Sequence, residues 1–209
     1  MRARPAHFAL PLAAACVLTA CGGLGGGGVT TTNIAPPDPA RAPADVHWEA
    51  FQGIQLPIGA HDGPTKLSTT AAGYSHTPQG AALAAVNLSV RLSLAPDAAW
   101  PEIASQSLMP GPAKDSWVLS RAQISITAPA NPAVAPRISG YKIPAYDPLR
   151  TEVTIYTTYP DASIAATRQT VQWSAEDWRL TLPDPTSKTP TVQSIPSIPT
   201  DAVKLEPAK

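Results

Sequence analysis

The sequence predicts an α+β domain, a long N-terminal helix packed against a curved antiparallel sheet, flanked by disordered tails. Three observations carry that expectation. One apolar stripe over residues 79–94 begins on a complete helix-start signal. Several β-branched, alternating segments follow it between residues 121 and 182. Proline, at 25 of 209 residues, is dense at 36–43 and again at 183–207, well above its usual share of roughly 5%.

The chain opens on residues 1–7 with two arginines and no acid, followed by an apolar run over 8–20 (FALPLAAACVLTA). Thirteen residues suit the core of a signal peptide and fall short of the roughly 20 that a spanning helix needs. The run ends in Leu18, Thr19, Ala20 and Cys21, which resembles the bacterial lipobox: a branched apolar residue, two small ones, then cysteine. The resemblance implies a diacylglycerol thioether on Cys21 and cleavage after Ala20. The membrane then becomes a partner through lipid, and the chain belongs on the extracytoplasmic face of the cell membrane. An ordinary cleaved secretory signal is the alternative. Cys16 leaves with residues 1–20, so an acylated Cys21 leaves the mature chain without a free thiol or a disulfide.

Residues 21–45 read as a linker, with GGLGGGG as flexible coil and a stiffer stretch with prolines at 36, 37, 39 and 43. The α+β domain is expected over 46–183, as a leading segment 46–76 and a helix-plus-sheet core 77–183. Residues 184–209 are proline-rich without an aromatic side chain, and are expected to be disordered.

Within the domain, residues 46–58 read as an extended segment carrying Trp48, Phe51 and Leu56, and residues 71–74 as a short strand. Thr77 suits an N-cap and Pro78 the first helical position, where its missing N–H costs nothing. Leu83, Val86, Val90 and Leu94 form the buried stripe, with Asn87 and Arg91 as a polar pair beside it. A short helix is expected from Pro101 through Ile103 to Ser107. Strands are expected over 121–127, 137–143, 152–159, 164–173 and 178–182, the last two joined by a turn at 174–177.

Two resemblances follow from these segments. The helix followed by strands, closing on VQWSAEDWRLTLP, resembles the cystatin-like cone of the nuclear-transport-factor-2-like superfamily and of VirB8-type secretion components, over residues 77–183. WEAFQGIQLP, the Gly63-Pro64 pair and AGYSHTPQGAALAA resemble an uncharacterised group of actinobacterial secreted or lipid-anchored proteins, some of them tied to conjugative elements. Neither resemblance supplies catalytic residues.

Charge bounds the function. Without Arg2 and Arg4 the mature chain carries 13 basic against 15 acidic residues, which lacks the basic excess that phosphate binding draws on. No nucleic-acid partner is expected. His47, His61 and His76 have no paired ligand spacing, so no metal and no cofactor are expected. Ser75-His76-Thr77 looks chemical, but no spacing supplies the third group of a triad. Glu176-Asp177 reads as a solvated turn. Glu152 reads as part of an exposed sheet face; the alternative is that Glu152 and Tyr156, two strand positions of one parity, line a pocket together with His76. The expectation is therefore a lipid-anchored, non-enzymatic interaction domain that binds other envelope proteins, within a conjugative or secretion apparatus. The alternatives are a small-molecule-binding or enzymatic cone, and a glycan-binding surface built on exposed aromatics among tryptophans 48, 117, 173 and 178 and tyrosines 74, 141, 156 and 159.

Overall fold

The computed structural model describes residues 36–205, so the expected signal segment, the expected lipobox and Cys21 lie outside the described residues. The first two strands, β1 (Val46–Phe51) and β2 (Ile54–Gly59), pair from Val46↔Gly59 to Phe51↔Ile54. Gln52 and Gly53 both take positive φ, the geometry of a two-residue turn that matches strand twist. The segment read as simply extended is thus a hairpin. A second, smaller one follows, β3 (Lys66–Leu67) with β4 (Ala71–Ala72).

The helix α1 (Pro78–Ser93) starts as expected: Thr77 is extended, and its side chain accepts from the Gly80 amide at 3.0 Å. Its surroundings differ from the expectation. Every residue from Pro78 to Leu88 is buried, because β2, β4, the main sheet and α2 (Trp100–Ser107) all pack on it. Ala81, Ala82, Ala84 and Ala85 let those neighbours approach on the sides away from the Leu83 stripe. The polar residues Asn87 and Arg91 are buried with the helix. Asn87 is fully buried and donates to the carbonyls of Pro57 and Leu83. Arg91 donates to those of Ser68 and Thr69, with its guanidinium 4.4 Å over the Phe51 ring.

The strand expected at 121–127 is absent. A third helix, α3 (Pro112–Arg121), runs into this stretch, which then continues without regular structure. The buried guanidinium of Arg121 donates to the Ala95 carbonyl at 2.6 Å and to Asp97 at 2.9 Å. The same Asp97 carboxylate takes the Ser125 hydroxyl and the Ile126 amide. Residues 122–126 are held by that anchor, and Ile124 is 55% exposed. Their alternation is not a buried face.

Six strands form the main sheet: β5 (Arg137–Lys142), β6 (Arg150–Thr158), β7 (Ile164–Ser174), β8 (Asp177–Thr181), β9 (Val192–Ile195) and β10 (Val203–Lys204). The order is β10-β5-β6-β7-β8, with β9 on the same edge of β7 as β8, and every pairing is antiparallel. The expected long N-terminal helix over a curved cone is not what forms. Two hairpins precede the helices, the helices are short, the domain is mostly β, and the sheet makes no cone. The physical reason is visible in α1. Enclosed by hairpins, sheet and α2, it acts as a core element and not as a rod laid along one concave face.

The tail expected to be disordered is part of the sheet. β9 pairs with β7 and β10 with β5, on opposite edges, so residues 196–202 cross the outer face as a strap. Lys142 holds Asp201 at 2.6 Å, and Arg168 donates to the Pro190 carbonyl at 2.7 Å. Val203 and Leu205 are buried, and Gly140 admits β10 because a Cβ there would stand 2.4 Å from the Val203 oxygen. Prolines lower the entropy lost on ordering such a segment, which composition alone disguised. The linker is likewise docked at its end. Gln79 donates to the carbonyls of Asp38 and Arg41 at 2.8 Å each, and Pro43 is buried.

Candidate functional site

The segment AGYSHTPQG before α1 and the closing hairpin WSAEDW meet in space. Ala175 and Glu176 take positive φ and form the tight turn between β7 and β8, which places Trp173 opposite Trp178 and Ser174 opposite Asp177. Asp177 then points back into the fold. Its carboxylate accepts from the amides of Gly73 at 2.7 Å, Tyr74 at 3.1 Å and Trp178 at 2.9 Å. The indole N–H of Trp178 donates to the Ser75 carbonyl at 2.9 Å.

These bonds set His76 against the hairpin. Its ring stacks on Trp173 with centroids 3.9 Å apart and planes within 9°, and meets Trp178 edge-on at 5.6 Å. Nε2 lies 2.6 Å from the Pro148 carbonyl oxygen, which can only accept, so Nε2 is the donor of this bond. The loop 144–149 completes the rim. The Tyr146 hydroxyl donates to the His76 carbonyl at 3.4 Å, and the Trp173 amide donates to the Leu149 carbonyl at 2.9 Å. Burial, with Asp147 adding to it, raises the Tyr146 phenol above its ordinary value and keeps it a neutral donor. His76 is exposed, Trp173 and Tyr146 are half-buried, and Leu149 is 65% exposed. The outcome is a rigid aromatic platform open to solvent.

Beneath it, the buried Asp62 carboxylate accepts from the hydroxyls of Ser75 at 2.9 Å and Thr77 at 3.0 Å. The Ser75 hydroxyl is thus directed at Asp62, where it helps to hold the start of α1. The nucleophile-to-base contact that a triad requires is not made. Below the platform, burial pushes the Tyr74 phenol well above its ordinary value, against the opposing pull of Arg91. Among the described residues no three His, Cys, Asp or Glu side chains converge on a point where a metal ion could sit.

Glu152 lies on an exposed sheet face, and the structure does not bring it and Tyr156 together with His76, because both lie on the opposite face of the sheet from the His76–Trp173 pair. On β6, Thr151, Val153 and Ile155 face α1, while Glu152 and Tyr156 face the other way. Glu152 is exposed beside Thr170, and Tyr156 is buried under the strap. That burial raises the Tyr156 phenol, with Lys142 opposing it. His76 lies with Trp173 and Trp178, whose side chains share the α1 side of the sheet with Val171 and Leu180.

Asp177 and Asp62 were not legible as site residues. Glu176 is exposed as expected of a turn, but Asp177 is the first residue of β8 and binds amides 103 and 104 positions away. Its only sequence signal is an acid placed directly before a tryptophan. Trp100, the first residue of α2, meets Trp117 edge-on at 6.1 Å, away from the platform.

No helix among the described residues is long and apolar enough to cross a membrane. No curated protein and no solved structure matches the chain. One family model does, described as a domain of unknown function, DUF8175, over residues 22–200. That span takes in both hairpins, all three helices, the main sheet through β9 and most of the strap. The chain belongs to the DUF8175 family.

Proposed function

We propose that this chain is a lipid-anchored bacterial envelope protein whose folded domain works by binding, and that it holds a protein partner of the envelope at the His76–Trp173 platform. The observation that carries the binding surface is the stacked pair itself, exposed at His76 and fixed from below by Asp177, Trp178 and Pro148. Aromatic side chains dominate the energetic centres of protein interfaces. A surface already rigid before binding loses little entropy on association. The anchor rests on the lipobox resemblance at Leu18, Thr19, Ala20 and Cys21. A place within a conjugative or secretion apparatus follows from the resemblance of AGYSHTPQGAALAA and is part of the same reading.

The test is crosslinking and retrieval from intact membranes with the wild-type chain, Trp173→Ala and Cys21→Ala. A partner enriched by wild type and lost with both variants supports the reading. Equal recovery with all three chains removes it. Metabolic labelling with an alkyne fatty acid, present in wild type and absent in Cys21→Ala, tests the anchor separately.

A second reading uses the same rings. The exposed faces of His76 and Tyr146 suit the apolar face of a sugar, so the platform could hold cell-wall glycan. Retention on purified cell wall that disappears with Trp173→Ala would favour it over a protein partner.

A further inference from the structure

Far from the platform, the last turns of α1 leave part of the sheet's inner face open. Val90 and Leu94 stand over Ile155 of β6, beyond which Thr157 and Tyr159 continue that face. Thr167 and Gln169 continue it on β7, in register with Ile155 and Val153. The loop 128–136 closes the outer side. It is seated on the β1–β2 turn through the Ala130 amide, which donates to Gln52 at 3.0 Å. Gly53 permits that approach, since a Cβ there would lie 2.1 Å from the Ala130 oxygen. Between them lies a groove of about 310 Å³, at the lower end of the roughly 300–1,000 Å³ of small-molecule sites.

Its chemistry is selective. The floor is apolar, made by Ile54, Ile138 and Ile155 with Val90 and Leu94. Among the described residues, none that lines it is charged. The hydroxyls of Ser89 and Ser93 are turned back onto carbonyls of α1. The side chains of Thr157, Tyr159, Thr167 and Gln169 make no hydrogen bond among the described residues, and all four are at least partly open to solvent. A charged guest would give up water without gaining a counter-charge, which is costly. An uncharged guest loses nothing of the kind, and it finds an apolar floor with neutral donors and acceptors along one wall.

We propose that this groove is a binding site for an uncharged small molecule with one apolar face and a hydrogen-bonding edge. The edge meets Thr167 and Gln169, and the apolar face lies against Ile155 and Leu94. The site is separate from the platform and does not depend on the partner reading.

The experiment is equilibrium dialysis of the full chain in nanodiscs, against empty nanodiscs, with two probes of one ring system: 1-naphthalenemethanol, which is neutral, and 1-naphthaleneacetate, which is an anion. The expected result is saturable binding of one alcohol per chain, about tenfold or more tighter than the carboxylate. Thr167→Trp fills the groove from the sheet, and Ser93→Trp fills it from an exposed helix position that tolerates substitution; thermal unfolding shows which variants remain folded. Each folded variant is expected to weaken alcohol binding by about tenfold, while Trp173→Ala leaves it unchanged. Unsaturable uptake, equal affinity for the two probes, or unchanged affinity in the folded groove variants would each overturn the proposal.

Discussion

The imidazole of His76 lies flat on the indole of Trp173, with centroids 3.9 Å apart, and this contact joins the start of α1 to the closing hairpin 97 positions later. A stacked aromatic pair contributes about 0.5–1.5 kcal/mol beyond its area. His76→Ala is expected to lower unfolding stability by about 1 kcal/mol and Trp173→Ala by more, since the indole also packs on the core. Urea unfolding of both single variants and the double variant checks this; strictly additive losses would show that the rings do not interact.

Asp177 holds two amides of the segment before α1. Asp177→Ala strands both donors and is expected to cost about 2–3 kcal/mol. Asp177→Asn keeps one acceptor oxygen and falls between. Denaturant midpoints at neutral pH measure it, and a loss below about 0.5 kcal/mol would mean that solvent replaces the carboxylate.

Gly80 sits in the first turn of α1, where alanine ordinarily gains about 1 kcal/mol. Here a Cβ would stand 2.0 Å from the Ser75 carbonyl oxygen and 2.6 Å from its hydroxyl. Overpacking of that kind costs about 1–3 kcal/mol, so Gly80→Ala is expected to be destabilising. A raised melting temperature would contradict the packing at the junction.

The Asp97 carboxyl is held down at about 2, chiefly by the Ser125 hydroxyl, then by the Ile126 amide and Arg121. A carboxyl depressed on folding stabilises the protein above its ordinary value of roughly 3.9 and loses that contribution as pH falls through the folded value. The melting-temperature gap between wild type and Asp97→Asn is therefore expected to be level from neutral pH to about 5. It should then shrink below about 4 and close near pH 2. A gap that persists at pH 2 would place the effect elsewhere.

The C-terminal strap covers Tyr156, and Val203 and Leu205 beyond it are buried in the domain. Leu205→Ala is expected to cost about 2–4 kcal/mol, and removal of residues 184–209 to lower stability further by stripping β9 and β10 from the sheet. A disordered tail would leave the melting temperature unchanged in both cases.

The sequence by itself determined the start of α1, the extent of α2 within a residue, and the strands β5 to β8. Each is signalled by neighbours two to four residues apart: Thr77 and Pro78 before the helix, Val153 and Ile155 alternating with Glu152 and Thr154. The expectation of a lipobox likewise rests on four adjacent residues, Leu18, Thr19, Ala20 and Cys21. Only the tertiary structure decided that Asp177 reaches Gly73, that Arg121 ends a helix where alternation suggested a strand, that Glu152 and Tyr156 face away from His76, and that a proline-rich tail adds two strands. The reason is physical. Loop-closure entropy grows only slowly with separation, so a contact over a hundred residues costs little more than one over thirty, and no spacing in the chain announces it.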